Sequence, residues 1–419
     1  MENEQDNDST LRRNMIYSVA SAAIQTALIL VQFALISRYL SKVEVGTYSL
    51  VLTLLAFVHA LSCVGGIRTV ITRELTQRDE KAKIFSSGIA AEFMMSFCAL
   101  VASIATIYSF EYFAPIRFPL AIAIVLMFSG FASMGFLSLL HSQEKIGHFC
   151  FANSFGLIAS TILFYICVTS DFSLAWILAA HMSWRFFSGP IMIALTNWKG
   201  YISLPAIEWS EIKSQVKASL PITMMIFITQ LYVRIDIVML DYFKGKETVA
   251  IYSAAYSFLD YLMILSNSVI MAAFPRFTAV LHHKRDEFGS LYRKVLLVYL
   301  KYLFPIGILI AILAPNIIEL LYGDTYLSAA TPLQVLMAAA LIAWVNGPSG
   351  TTFIGLRKQN LYMWGAALSL CVNVGINFLL IPSYGALGAA IATVCTELVL
   401  CLWSLSLIKF LLKKSNAGS

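Results

Sequence analysis

Arg185 and Arg234 stand inside apolar stretches of this chain. A guanidinium does not lose its charge, so each must meet an anion, a carbonyl or water. His181 lies four residues before Arg185 on the same helical face, and Ser188 continues that face. Arg234 is followed by Asp236, and two helical residues at that spacing point in different directions. Lys301 lies about two turns into its own apolar stretch, within snorkelling distance of the interface. Opposed to these cations are Glu92, Asp236, Asp260 and Glu397. An ionisable group at mid-membrane costs at least ~2.5–3.5 kcal/mol, so it faces a bundle interior or a water-filled cavity. Two chemistries follow. Arg185, Arg234 and Lys301, with His181, suit a phosphate-like anion. Asp260, Glu92, Asp236 and Glu397 suit the uptake and release of a coupling ion. A structural role is open for the same residues: Arg185 paired with a carboxylate of its own lobe, and Asp260 paired with a base.

Uncharged polar residues extend these faces. Ser18, Gln25 and Gln32 recur every seven residues in the first apolar stretch. Asn373 and Asn377 share one face near the other end of the chain. Ser253, Tyr256, Ser257, Asp260 and Asn267 form a third polar stripe. Such stripes either hold helices together by hydrogen bonds or line a cavity that takes sugar hydroxyls.

These faces must be carried by membrane helices. The 419 residues are 59% hydrophobic and 12% charged, with a mean hydropathy of +0.78. A soluble protein carries about a quarter charged residues. Apolar runs of about twenty residues recur along the whole chain. They predict twelve spans, at about 14–38, 46–66, 84–110, 118–140, 149–170, 173–197, 216–240, 249–272, 291–314, 329–347, 360–381 and 386–410. Of 29 Lys and Arg, 21 fall in one set of alternating loops and five in the other. Cytoplasmic loops carry the excess, so both termini are expected in the cytoplasm. The net charge of +6 then reflects topology and is no sign of nucleic-acid binding.

The chain also repeats itself. Lys42, Val45, Tyr48 and Ser49 recur as Lys246, Val249, Tyr252 and Ser253 at an offset of 204. The expected architecture is therefore an all-α polytopic protein of about twelve transmembrane helices, in two pseudo-symmetric six-helix lobes around a central cavity. A tail of 1–13 precedes the first lobe, 14–200. A linker at 201–215 leads to the second, 216–410, and a tail of 411–419 follows. The amphipathic piece Glu208–Lys217 is expected along the cytoplasmic interface. Gly65, Gly66 and Arg68 are expected in a basic turn at the end of the second span.

No nucleotide-binding, zinc-protease or nucleophile-elbow motif is present, and the seven Cys form no Cys-x-x-Cys pair. No cofactor, metal site or enzymatic activity is expected.

Several stretches carry a resemblance: Gly46-Thr-Tyr48, Gly66-Ile-Arg68, Arg234-Ile-Asp236, Ile251–Ala255, Phe274-Pro275, Leu321-Tyr-Gly323, and above all Asn373–Ala390, where a helix expected to stop at Pro382 turns through Tyr384-Gly385. In order and spacing these resemble the Wzx-type polysaccharide-export flippases. That branch belongs to the superfamily that also holds the drug/proton MATE antiporters and the peptidoglycan-precursor flippase. The resemblance implies transfer of an undecaprenyl-diphosphate-linked oligosaccharide, an O-antigen or capsule repeat unit, across a bacterial inner membrane. It also implies a polymerase and a chain-length regulator as pathway partners. An ion-coupled exporter of small drugs of the MATE type is the alternative.

Overall fold

In the computed structural model the backbone is described for residues 2–416, except 63, 130, 144, 197, 284–287 and 357. Side chains are described between 16 and 411 with gaps, the largest at 129–134, 271–279 and 281–287. Arg12, Arg13, Arg276, Lys284, Arg285, Arg357, Lys413 and Lys414 of the loop-charge argument lie outside the described side chains.

The described chain is helical: α1 Glu2–Tyr39, α2 Lys42–Leu61, α3 Val64–Gln77, α4 Lys81–Ser109, α5 Arg117–Ser129, α6 Phe131–Ser142, α7 Ile146–Thr169, α8 Leu174–Met182 and α9 Trp184–Leu195. There follow α10 Trp209–Lys244, α11 Lys246–His283, α12 Phe288–Val298, α13 Phe304–Ile312, α14 Ala314–Tyr322, α15 Ala330–Gly355, α16 Gln359–Tyr384 and α17 Ala386–Asn416. Among the described residues eleven stretches are long and apolar enough to cross a membrane. The other expected span, 173–197, is divided into α8 and α9. At the division the Ser183 hydroxyl donates to the Ala180 carbonyl at 2.7 Å, a side-chain bond that competes with the helical ladder.

Two compact units emerge, one of residues 1–39 and 51–230, the other of 40–50 and 231–419. Their division falls inside α10 rather than at 201–215, and α2 contributes to both. In the first unit Ile67, Ile71 and Leu75 of α3 pack with Ile84, Phe85 and Ala91 of α4. In the second, α11, α15, α16 and α17 pack together. There a Cβ on Gly46 would collide with the carbonyl of Lys246, so α2 starts against the start of α11.

Two local expectations need correction. Residues Gly65–Arg68 form no turn: they lie in α3, whose buried residues Ile67, Val70 and Ile71 give it an inward face. The piece Glu208–Lys217 runs into the beginning of α10 and is amphipathic, with Glu211 and Gln215 buried and Lys213 and Lys217 exposed. Helix α16 continues past Pro382 to Tyr384 and stops at Gly385. There φ is +54°, a conformation open to glycine, and the Gly385 N–H donates to the Ile381 carbonyl at 2.8 Å.

A π-helical turn at Tyr299–Leu303 joins α12 to α13. It lies just before Pro305, which has no N–H to continue the α-helical ladder, and the Phe304 N–H reaches back five residues to the Tyr299 carbonyl. Lys301 sits in this turn.

Candidate functional site

Two meetings of charged residues on the described helices bear on the site, one in each unit. In the first, α3 brings Arg68 to Glu92 of α4, with Nε 4.0 Å from Oε1. The same Nε donates to the Val64 carbonyl of its own helix at 3.2 Å. The Glu92 side chain is 3% exposed, and neither of its oxygens accepts a hydrogen bond. Arg185 of α9 lies in the same unit. Its guanidinium lies 4.8 Å from the Trp184 ring and 4.0 Å from the Met182 sulfur. It forms no salt bridge among the described residues, and its buried Nε has no acceptor. Arg185 is thus a cation with no carboxylate partner among the described residues, an arrangement that attracts an anion.

His181 does not join Arg185 in that contact. Its Nδ1 lies 2.9 Å from Gln32 Oε1, and Gln32 Nε2 donates to Thr161 Oγ1 at 2.8 Å. These bonds tie α1, α7 and α8 together. Gln25 is half-buried one heptad earlier on α1.

In the second unit, Arg234 of α10 pairs with Asp260 of α11, Nη2 to Oδ2, at 2.8 Å. The guanidinium also lies 5.1 Å from the Tyr256 ring, a cation–π contact. Asp236 points elsewhere. It accepts from the Tyr252 hydroxyl and, at 2.8 Å, from the Ile237 N–H. Tyr252 also meets Thr393 of α17 at 3.2 Å. Glu397 of α17 accepts from the Tyr232 hydroxyl of α10. Asp260 therefore has the basic partner that one sequence reading gave it. Arg234 and Asp236 keep separate partners, as their spacing on a helix requires.

Asn373 and Asn377 are buried, at 2% and 0% exposure. Asn377 Nδ2 donates to Asn373 Oδ1 at 2.7 Å, and Asn373 Nδ2 donates to Thr396 Oγ1 at 3.2 Å. In this conformation they join α16 to α17. Lys301 is exposed, with its ammonium 5.3 Å from the Tyr302 ring.

Sequence reasoning expected Arg68 in a turn and gave no site role to His59, Tyr232 or Tyr252. A signal for Arg68 was present: it follows Ile67 and precedes Val70 and Ile71, so it shares a helix with a core face. Tyr252 was marked by the internal repeat that matches it to Tyr48, whereas Tyr232 carried no signal among 19 tyrosines.

A family model described as polysaccharide biosynthesis protein matches residues 35–331. A protein of Shigella dysenteriae named "Putative O-antigen transporter" is 23% identical over 81% of this chain and 84% of its own. An uncharacterized membrane protein of Methanocaldococcus jannaschii is 31% identical over 38% of this chain, a match spanning about a third (32%) of its own length. Among solved structures, the lipid II flippase MurJ in an inward closed conformation superposes with a TM-score of 0.75 at 14% identity, covering 94% of this chain and 87% of that one. At that identity the likeness is one of fold.

Proposed function

Because this chain belongs to the polysaccharide biosynthesis protein family, a multi-pass membrane family, we propose that it is a flippase. Its cargo is an undecaprenyl-diphosphate-linked oligosaccharide repeat unit. It carries this unit from the cytoplasmic to the periplasmic leaflet of a bacterial inner membrane by alternating access, with both of its termini in the cytoplasm. A polymerase and a chain-length regulator take up the product.

The observation that carries this reading is Arg185. A charged group is costly at membrane depth, and this one has neither a salt bridge among the described residues nor an acceptor at Nε. A diphosphate supplies the missing anion, and the planar guanidinium suits it by bidentate hydrogen bonding. Arg234 contributes once Asp260 yields. The carboxylates Asp260, Glu92, Asp236 and Glu397 are the groups that couple the cycle to an ion. A ligand shifts such a cycle only through different affinities for its two states. The MATE-type alternative, export of small cationic drugs, gives no role to an arginine without a carboxylate partner among the described residues.

The test is complementation of a deletion strain. Arg185→Ala should reduce surface glycan and leave lipid-linked repeat in the cytoplasmic leaflet, while the protein still reaches the membrane. Normal surface glycan at matched expression would reject the reading.

A further inference from the structure

Two candidate spans of the first unit begin next to one another, α1's at Ile16 and α7's at Ile146. Between them opens a cavity of about 690 Å³, lined by Tyr17, Ser21, Ile24, Lys145, His148 and Phe151 among others. The transport reading uses none of these residues. The cavity is polar at its mouth and apolar at its side. Lys145 is half-buried and has no salt bridge among the described residues. Among the described residues no carboxylate lines the cavity. The first turn of α7 contributes Gly147 and His148 to the mouth, and the first N–H groups of a helix carry partial positive charge. At Gly147 a Cβ would lie 2.7 Å from the Tyr17 ring, so the bare backbone lets that ring lie beside the opening.

Deeper in, Ser21 and Ser154 meet at 3.1 Å and join α1 to α7. Ser154 is eight residues past the start of α7, which places it roughly 12 Å along the helix. Along that depth Ile24 is 39% and Phe151 61% exposed, on surfaces that a membrane span presents to lipid chains. The site therefore offers a cation at the level where the spans enter the membrane and an apolar wall below it. We propose that this cavity binds one anionic phospholipid, its phosphate at Lys145 and the start of α7 and its chain along Ile24 and Phe151. Charge complementarity selects the headgroup, since a lipid without net charge leaves Lys145 uncompensated. The apolar wall selects a lipid over free phosphate.

The inference does not rest on the transport reading, because binding is measured without transport. Full-length protein in detergent is titrated with phosphatidylglycerol, phosphatidylcholine and inorganic phosphate, and bound ligand is read by native mass spectrometry. Phosphatidylglycerol should bind roughly tenfold tighter than phosphatidylcholine, the size expected of about one or two surface cations. Lys145→Glu should remove that preference, whereas Lys199→Glu, on an exposed loop, should keep it. Ala20→Trp, which fills the cavity from an exposed position, should lower binding of both lipids. Lys145→Glu tests the site alone if Ala20→Trp does not fold. Equal binding of the two lipids by the unaltered protein would overturn the proposal, as would an unchanged preference in Lys145→Glu. Lys145-dependent binding of inorganic phosphate without lipid preference would overturn the lipid and leave only an anion site.

Discussion

Arg234 of α10 and Asp260 of α11 are joined through Nη2 and Oδ2 at 2.8 Å, although Asp236 stands two residues from Arg234 on its own helix. The pair keeps side-chain exposures of 28% and 34%. Breaking a fully buried pair costs about 3–5 kcal/mol, so this part-exposed one should cost less, about 1–2 kcal/mol. Asp260→Asn should lower the thermal stability of the detergent-solubilised protein by that amount. Adding Arg234→Ala to Asp260→Asn should recover part of the loss, because no charge is then left alone. A double variant whose stability falls by the full sum of the two single losses would show that the two charges are not coupled.

Arg185→Ala should retain membrane insertion and lose function. A hydrogen bond to a charged group contributes about 1.5–3 kcal/mol, which corresponds to a fall in transport of roughly 10- to 100-fold. Lys at 185 should rescue only in part, because an ammonium lacks the planar fork. Full rescue by Lys would mean that charge alone matters there.

Arg78 lies between α3 and α4 and binds Glu74 at 3.4 Å, Glu80 at 3.0 Å and Glu211 of α10 at 2.9 Å. The hydrogen bond to Glu211 is the main reason its guanidinium is held above its ordinary range, so Arg78 stays charged at any working pH. It anchors the start of α10 to the α3–α4 turn. The side chain is 39% exposed, which limits its contribution to about 1 kcal/mol. Arg78→Ala should lower the melting temperature at low salt, and the gap to the unaltered protein should narrow as salt rises. A gap that does not respond to salt would argue for lost packing instead.

Two glycines should respond oppositely to alanine. At Gly46 the new Cβ runs into the Lys246 carbonyl, a backbone atom that cannot rotate away. Gly46→Ala should cost about 1–3 kcal/mol by overpacking and lower the folded yield. At Gly375 of α16 nothing lies within 4 Å, and Gly375→Ala should be neutral or stabilising by up to about 1 kcal/mol. Yields measured by fluorescence-detected size exclusion would separate the two. Equal yields for both variants would mean that α2 and α11 do not approach as described.

The loop charges predict a cytoplasmic carboxyl end. A reporter fused after Ser419 should read cytoplasmic, and a periplasmic reading would reject the orientation.

The sequence by itself determined the membrane class and the spans, because these depend on local hydropathy and on loop charge. It also marked the turn at Tyr384-Gly385, which the structure places at Gly385. Only the tertiary structure decided which partner each charged or polar residue takes. Arg234 ignores Asp236 for Asp260, Arg68 turns inward to Glu92, and Asn373 reaches Thr396 on the next helix. Spacing along one helix fixes a direction, but the partner stands on another helix, and its height and rotation are set by packing across the whole unit. The division at Ser183 escaped for the same reason: apolar content gives the length of a span and carries no mark of where the helix is interrupted.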